Sequence, residues 1–173
     1  MATFIKRNDR MKVIKKEYAV VFSMIVLAVA SRLLPHPPNF APITGIALFA
    51  ASKFNKKIVA FLLPLCCLFI TDLILGLSWI NLFVYGAFGM ISLIGMRIKR
   101  VSLLTVLGSS LLFFIVSNFG VWLLYYPLTL EGLVTCFTLA IPFFGNTIAG
   151  DLVYTAVLFY SFSAIKNTYL KPA

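Results

Sequence analysis

Fourteen of the fifteen lysines and arginines in this chain fall in four clusters separated by long apolar runs, and the fifteenth, Arg32, lies inside such a run. The clusters are Lys6, Arg7, Arg10, Lys12, Lys15 and Lys16, then Lys53, Lys56 and Lys57, then Arg97, Lys99 and Arg100, and finally Lys166 and Lys171. Apolar runs cover 18–34, 42–52, 58–77, 79–96, 102–125 and 133–163. The alternate connections, 35–41, 78–79 and 126–132, hold no Lys or Arg. Membrane proteins keep basic loops on the cytoplasmic side, so this alternation counts crossings. It predicts an all-α integral membrane bundle of six transmembrane helices in the plasma (inner) membrane, multi-pass, with both termini cytoplasmic.

Composition points the same way. The chain is 61% apolar and 12% charged, against roughly 45–50% and 25% in soluble domains. The formal charge of +10 sits beside apolar runs, which suits the cytoplasmic face of a bilayer and not a nucleic-acid surface. The lipid bilayer is the expected partner, and nucleic acid is not. Ala28-Val29-Ala30 ends an apolar stretch in the manner of a signal-peptide cleavage site, but the preceding basic region is long and Arg32 follows at once. The segment therefore reads as a retained first span.

Run lengths refine the picture, since a span needs about 20 residues at 1.5 Å each. The second run is short. The sixth is long, and Pro142 and Gly145 within it predict a break that leaves its first part as a partial or re-entrant piece. The organisation expected is a basic cytoplasmic arm over 1–17, a six-span membrane domain over 18–165 and a cytoplasmic tail over 166–173.

Three charged residues stand inside apolar runs: Arg32, Asp72 and Asp151. Each costs on the order of 2.5–3.5 kcal/mol on insertion scales, so each needs a partner or a purpose. All three belong to the outer half in the predicted topology. Asn118, Trp122 and Tyr125 recur at helical spacing on the fifth run, as do Thr147, Asp151 and Tyr154 on the sixth. His36 and Asn39 occupy the Pro-rich first outer connection, and Asn146 adjoins the expected break. Together, Arg32, His36, Asn39, Asp72, Asn118, Trp122, Asn146 and Asp151 form the expected substrate-binding set of a pocket open to the outside. The opposing reading makes the same residues structural glue that satisfies charges and freed backbone groups. Arg32 is expected to pair with Asp72 or Asp151, leaving the other aspartate, Asp151 for preference, to meet a ligand.

Other chemistry is sparse. Cys66 and Cys67 point about 100° apart on a helix and Cys136 stands alone, so the thiols read as packing. With His36 the sole histidine, no metal and no cofactor are expected. A phosphate-binding G-x-x-x-x-G-K-[ST] loop is missing, so ATP hydrolysis is not expected of this chain. An acid/base pair of aspartates would suit intramembrane peptide hydrolysis. The sites known for that chemistry resemble Tyr-Asp and Gly-x-Gly-Asp, whereas here the residues are Thr71-Asp72 and Ala149-Gly150-Asp151. The chain is not expected to be an enzyme.

The stretches RLLPHPPNFAPITGIALF (32–49), PLCCLFITDLILG (64–76), SNFGVWLLYYP (117–127) and IPFFGNTIAGDL (141–152) resemble a family of small, largely uncharacterised bacterial membrane proteins. That family in turn resembles the substrate-binding S components of energy-coupling factor transporters. The resemblance implies a six-helix bundle that binds a small nutrient from outside and docks onto a membrane coupling protein through small residues of its first span, for which Ala19 and Ser23 are a partial match. A small-molecule uptake component is thus the expected function, with a structural or assembly subunit of a membrane complex as the alternative.

Overall fold

A computed structural model of the chain describes residues 2–169, with side chains over 15–168. Lys6, Arg7, Arg10 and Lys12 of the basic arm, Lys171, and residues 170–173 of the expected tail lie outside the described side chains. Six α-helices make up the described residues: α1 Ala2–Ser31, α2 Ile43–Lys53, α3 Lys57–Leu75, α4 Ile80–Gly95, α5 Leu103–Tyr125 and α6 Leu130–Tyr169. Of these, α3, α5 and α6 are long and apolar enough to cross a membrane.

The centre of the bundle is its shortest member. Every residue of α2 from Ile43 to Ala50 is buried, the signature of a helix apolar on all sides and enclosed by others. It packs against α3, α4 and α6. Gly45 allows the closest approach, because a Cβ there would meet the Thr155 backbone nitrogen at 3.0 Å. Toward the other end of α2, Phe49 meets Phe159 and Phe162 edge-on, at 5.2 and 5.6 Å between ring centroids. α5 covers α4 and α6, while α1 packs at the periphery, chiefly on α6 and α2.

Local chemistry explains most of the helix ends. α1 closes with three tight i→i−3 bonds, from Arg32 to Val29, Leu33 to Ala30 and Leu34 to Ser31, before prolines at 35, 37 and 38 forbid continuation. Pro42 then starts α2, where a missing N–H costs nothing. α3 stops at Gly76, which adopts φ 113° and returns its N–H to Asp72 O. Ser102 and Thr105 form a reciprocal capping box at the start of α5.

The sixth helix departs from expectation. α6 is continuous from Leu130 to Tyr169, straight through Pro142 and Gly145, so the predicted break is not there. Pro142 removes one backbone bond, but in apolar surroundings leaving the helix would strand several more without water, and the helix is retained. At forty residues and 1.5 Å each, α6 is about 60 Å long, roughly twice a hydrocarbon core. It also takes in the first residues of the expected tail. The basic arm likewise continues into α1 without interruption.

Apolar side chains cover the outside. Leu27, Ile74, Leu104, Leu130 and Tyr160 each expose about two thirds or more of their surface, far beyond the patches a water-soluble monomer tolerates. The buried interior is mostly apolar as well, with Asp72, Asp151 and several Ser and Thr residues among it. An apolar exterior of this extent is that of a protein whose solvent is lipid.

Candidate functional site

The helices pack so that the 32–42 connection folds back over the start of α2. Asn39 takes φ 63°, Phe40 N–H bonds to Pro37 O, and the His36 ring nitrogens lie 2.9 Å from Pro37 O and 3.1 Å from Arg32 O. The loop is braced by its own residues. It also presses on α6, because Gly150 brings the helix so close that a Cβ there would meet Phe40 Cα at 3.0 Å and Ala41 N at 3.1 Å. Ser31 Oγ and the Tyr154 hydroxyl, 2.9 Å apart, tie the end of α1 to α6.

Beneath this loop lies a cavity of about 190 Å³. Arg32, His36, Asn39, Thr44, Thr147 and Asp151 supply its polar lining, and Phe88, Phe113, Leu68, Leu75 and Val84 are among its apolar walls. Five helices, α2 to α6, and one loop therefore bring charged, hydroxyl and aromatic groups around one space.

The two buried aspartates have different environments. Asp72 is saturated: Oδ1 lies 2.7 Å from Arg32 Nη2, and Oδ2 accepts from Asn81 Nδ2 at 2.7 Å and from the Tyr85 hydroxyl at 2.8 Å. Arg32 in turn donates through Nη1 to the Thr71 hydroxyl and, at 3.4 Å, to Leu68 O. Its positive charge is thus matched within the protein. Asp151 receives Ser110 Oγ at 2.6 Å on Oδ2, with Thr44 as its other hydroxyl neighbour. No cation pairs with it among the described residues. Asp151 is thus the carboxyl group that lines the cavity without a counter-cation among the described residues.

Of the eight residues predicted for the site, Arg32, His36, Asn39 and Asp151 line the cavity and Asp72 supports it through Arg32. The other three stand apart. Asn118 spends its amide on Phe114 O, Trp122 donates to Pro127 O, and Asn146 does not line the cavity although its neighbour Thr147 does. Among the described residues no group of three His, Cys, Asp or Glu side chains is placed to hold a metal ion.

Residues 12–173 match a family of unknown function, DUF6580. The chain belongs to that family. The match covers all six helices except the start of α1, so the loop, both aspartates and Arg32 are within the family region. No curated protein and no solved structure matches the chain.

Sequence reasoning missed Ser110, Thr44, Thr71, Asn81 and Tyr85 as partners of the three membrane charges. A signal for one pair was present: Asn81 and Tyr85 are four residues apart and share a helix face, so both reach the same carboxylate oxygen. Ser110 had none, because serine in an apolar helix commonly bonds its own i−4 carbonyl. Ser110 does approach Val106 O, at 3.1 Å, as well as Asp151.

Proposed function

We propose that this member of the DUF6580 family is a six-span membrane component that binds a small nutrient from the outer side of the plasma membrane for uptake, its termini being cytoplasmic. The observation that carries this reading is the polarity of the Arg32 cavity. Arg32 is neutralised by Asp72, while the Asp151 carboxylate faces a space walled partly by Phe88 and Phe113. Structural glue needs no such space. The cavity equals about six water volumes at ~30 Å³ each, below the ~300 Å³ of drug-sized pockets. The ligand favoured is therefore compact and carries a cationic group, which Asp151 would meet with charge-assisted hydrogen bonds and the aromatic rings with cation–π attraction.

Orientation would follow from the positive-inside rule, since the described basic residues Lys53, Lys56, Lys57, Arg97, Lys99, Arg100 and Lys166 stand at helix ends away from the cavity. The loop over 32–42 would then form the external rim. A coupling protein in the membrane is the proposed partner, in line with α1 packing at the periphery among the described residues and with Ala19 and Ser23 both being exposed on it. A hydrolytic role fits less well, since two aspartates sharing a proton must touch and here each has separate partners.

The deciding experiment is extraction of the full chain from its native membrane followed by mass spectrometry of copurifying small molecules. A compact cation retained by the wild type and lost from Asp151→Asn is the expected result. A ligand-free protein that copurifies in fixed ratio with a larger membrane complex would replace this reading with that of an assembly subunit.

A further inference from the structure

At the end of the bundle opposite the Arg32 cavity, α1, α2 and α6 enclose a second cavity, of about 290 Å³, lined by Glu17, Ser52, Lys53, Asn55, Phe162 and Lys166 among others. Its two cations are held differently. Lys166 Nζ lies 2.8 Å from Glu17 Oε1, which bridges α6 to α1. Lys53 is half-buried and no carboxylate pairs with it among the described residues. Its ammonium stands 4.4 Å from the centre of the Phe162 ring, with Phe159 and Phe49 at 5.5 and 5.7 Å. Aromatic faces replace part of the lost water but supply no counter-charge. The cavity thus keeps one net positive charge, and exposed Lys15, Lys16, Lys56 and Lys57 at the same end extend the positive field around it.

We propose that this cavity binds a phosphate-bearing anion, with Lys53 as its direct charge partner and Lys166, tethered by Glu17, as the second. Lysine binds phosphate as a point charge on a flexible stem, and Asn55 offers an amide N–H at the rim. Two sources have this chemistry: the headgroup of an anionic phospholipid, for which basic pockets between membrane helices are typical sites, and phosphate in solution. Either would join Lys53 of α2 to Lys166 of α6 beside Glu17, strengthening the attachment of the peripheral α1. This inference rests on the chain lying in a membrane and not on the uptake reading.

The test uses the full chain in neutral detergent, with binding followed by native mass spectrometry and melting temperature. The probes are phosphatidylglycerol, phosphatidylcholine and inorganic phosphate at constant ionic strength. Phosphatidylglycerol should bind more tightly than phosphatidylcholine. Lys53→Met should weaken phosphatidylglycerol about tenfold, the scale of one charge-assisted contact, while Lys53→Arg retains it. Glu17→Gln, which removes the only negative charge among the described residues of the cavity lining, should tighten binding. Lys53-dependent binding of phosphatidylglycerol alone assigns the site to lipid, and Lys53-dependent binding of inorganic phosphate as well assigns it to the phosphate group from either source. Wild-type protein that binds neither phosphatidylglycerol nor inorganic phosphate, or a Lys53→Met variant that binds them as the wild type does, overturns the proposal. Should Lys53→Met fail to fold, Glu17→Gln decides alone: unchanged or weaker binding overturns it.

Discussion

Arg32 Nη2 and Asp72 Oδ1 meet at 2.7 Å between the end of α1 and the last turn of α3, with the Asp72 side chain only 4% exposed. The remaining oxygen of Asp72 is taken by Asn81 and Tyr85, so the pair is hydrogen-bonded on every side that matters. Removing one partner of such a pair leaves a buried charge and costs about 3–5 kcal/mol, whereas replacing both by apolar groups is often near neutral. Asp72→Asn should therefore melt well below the wild type in detergent and accumulate poorly. The double variant Arg32→Met with Asp72→Leu should recover much of that loss. A single variant that melts like the wild type would mean the pair is dispensable.

Asp151→Asn should behave in the opposite way. The amide oxygen of asparagine can still accept from Ser110, which now donates to Oδ2 at 2.6 Å, so the change in stability should stay within about 1 kcal/mol, less than one charged hydrogen bond. Binding of a cationic ligand should fall at least about tenfold, because the charge that faces the cavity is gone. Melting curves and ligand titration on the same preparation separate the two effects. A loss of stability comparable to that of Asp72→Asn, with no ligand present, would mark Asp151 as a structural residue.

The contrast between these aspartates shows what was legible from residues alone. A charge in an apolar run must be matched, so the pairing of Arg32 with an aspartate followed from cost. Which aspartate it would be depended on helix rotation, which spacing does not encode. The same limit explains Asn118 and Trp122: their shared face was readable, but α5 is turned so that Ser110, two turns earlier, meets Asp151. The shortness of α2 followed from the length of its apolar run. Its place at the centre of the bundle did not, although a run apolar on every side is the pattern of an enclosed helix. The break expected at Pro142 failed for a different reason. Helix-breaking tendencies are calibrated where water can take up freed backbone groups, and α6 has mostly apolar surroundings.

Gly150→Ala tests the contact that holds the loop over the cavity. The added Cβ would approach Phe40 Cα and Ala41 N at 3.0 and 3.1 Å, and both are backbone atoms that cannot rotate away. Overpacking of this kind costs about 1–3 kcal/mol. The loop should be displaced from α6, and ligand affinity should drop together with the melting temperature. Gly145→Ala is the matched control, since nothing lies within 4 Å of a Cβ at that position. It should melt at or slightly above the wild type, as alanine favours a helix interior by up to about 1 kcal/mol.

The last prediction concerns α2 and the topology that depends on it. Eleven residues reach only about 16 Å, roughly half of a hydrocarbon core, so in contact with lipid α2 could not serve as a crossing. Enclosed by α3, α4 and α6, it has no lipid thickness to match. In the proposed topology the loop over 32–42, exposed over 33–39, would supply the rest of the path at the external rim. Reporters placed after Lys57 and Arg100 should therefore read cytoplasmic, as should one after Lys171, and reporters after Asn39 and Thr129 should read external. Labelling of single introduced cysteines from either side, in a background without Cys66, provides an independent check in the full chain. An external signal at Lys57 would remove α2 as a crossing and shift every later helix to the opposite sense. The Arg32 cavity and the lysine-rich end would then no longer face opposite sides as proposed.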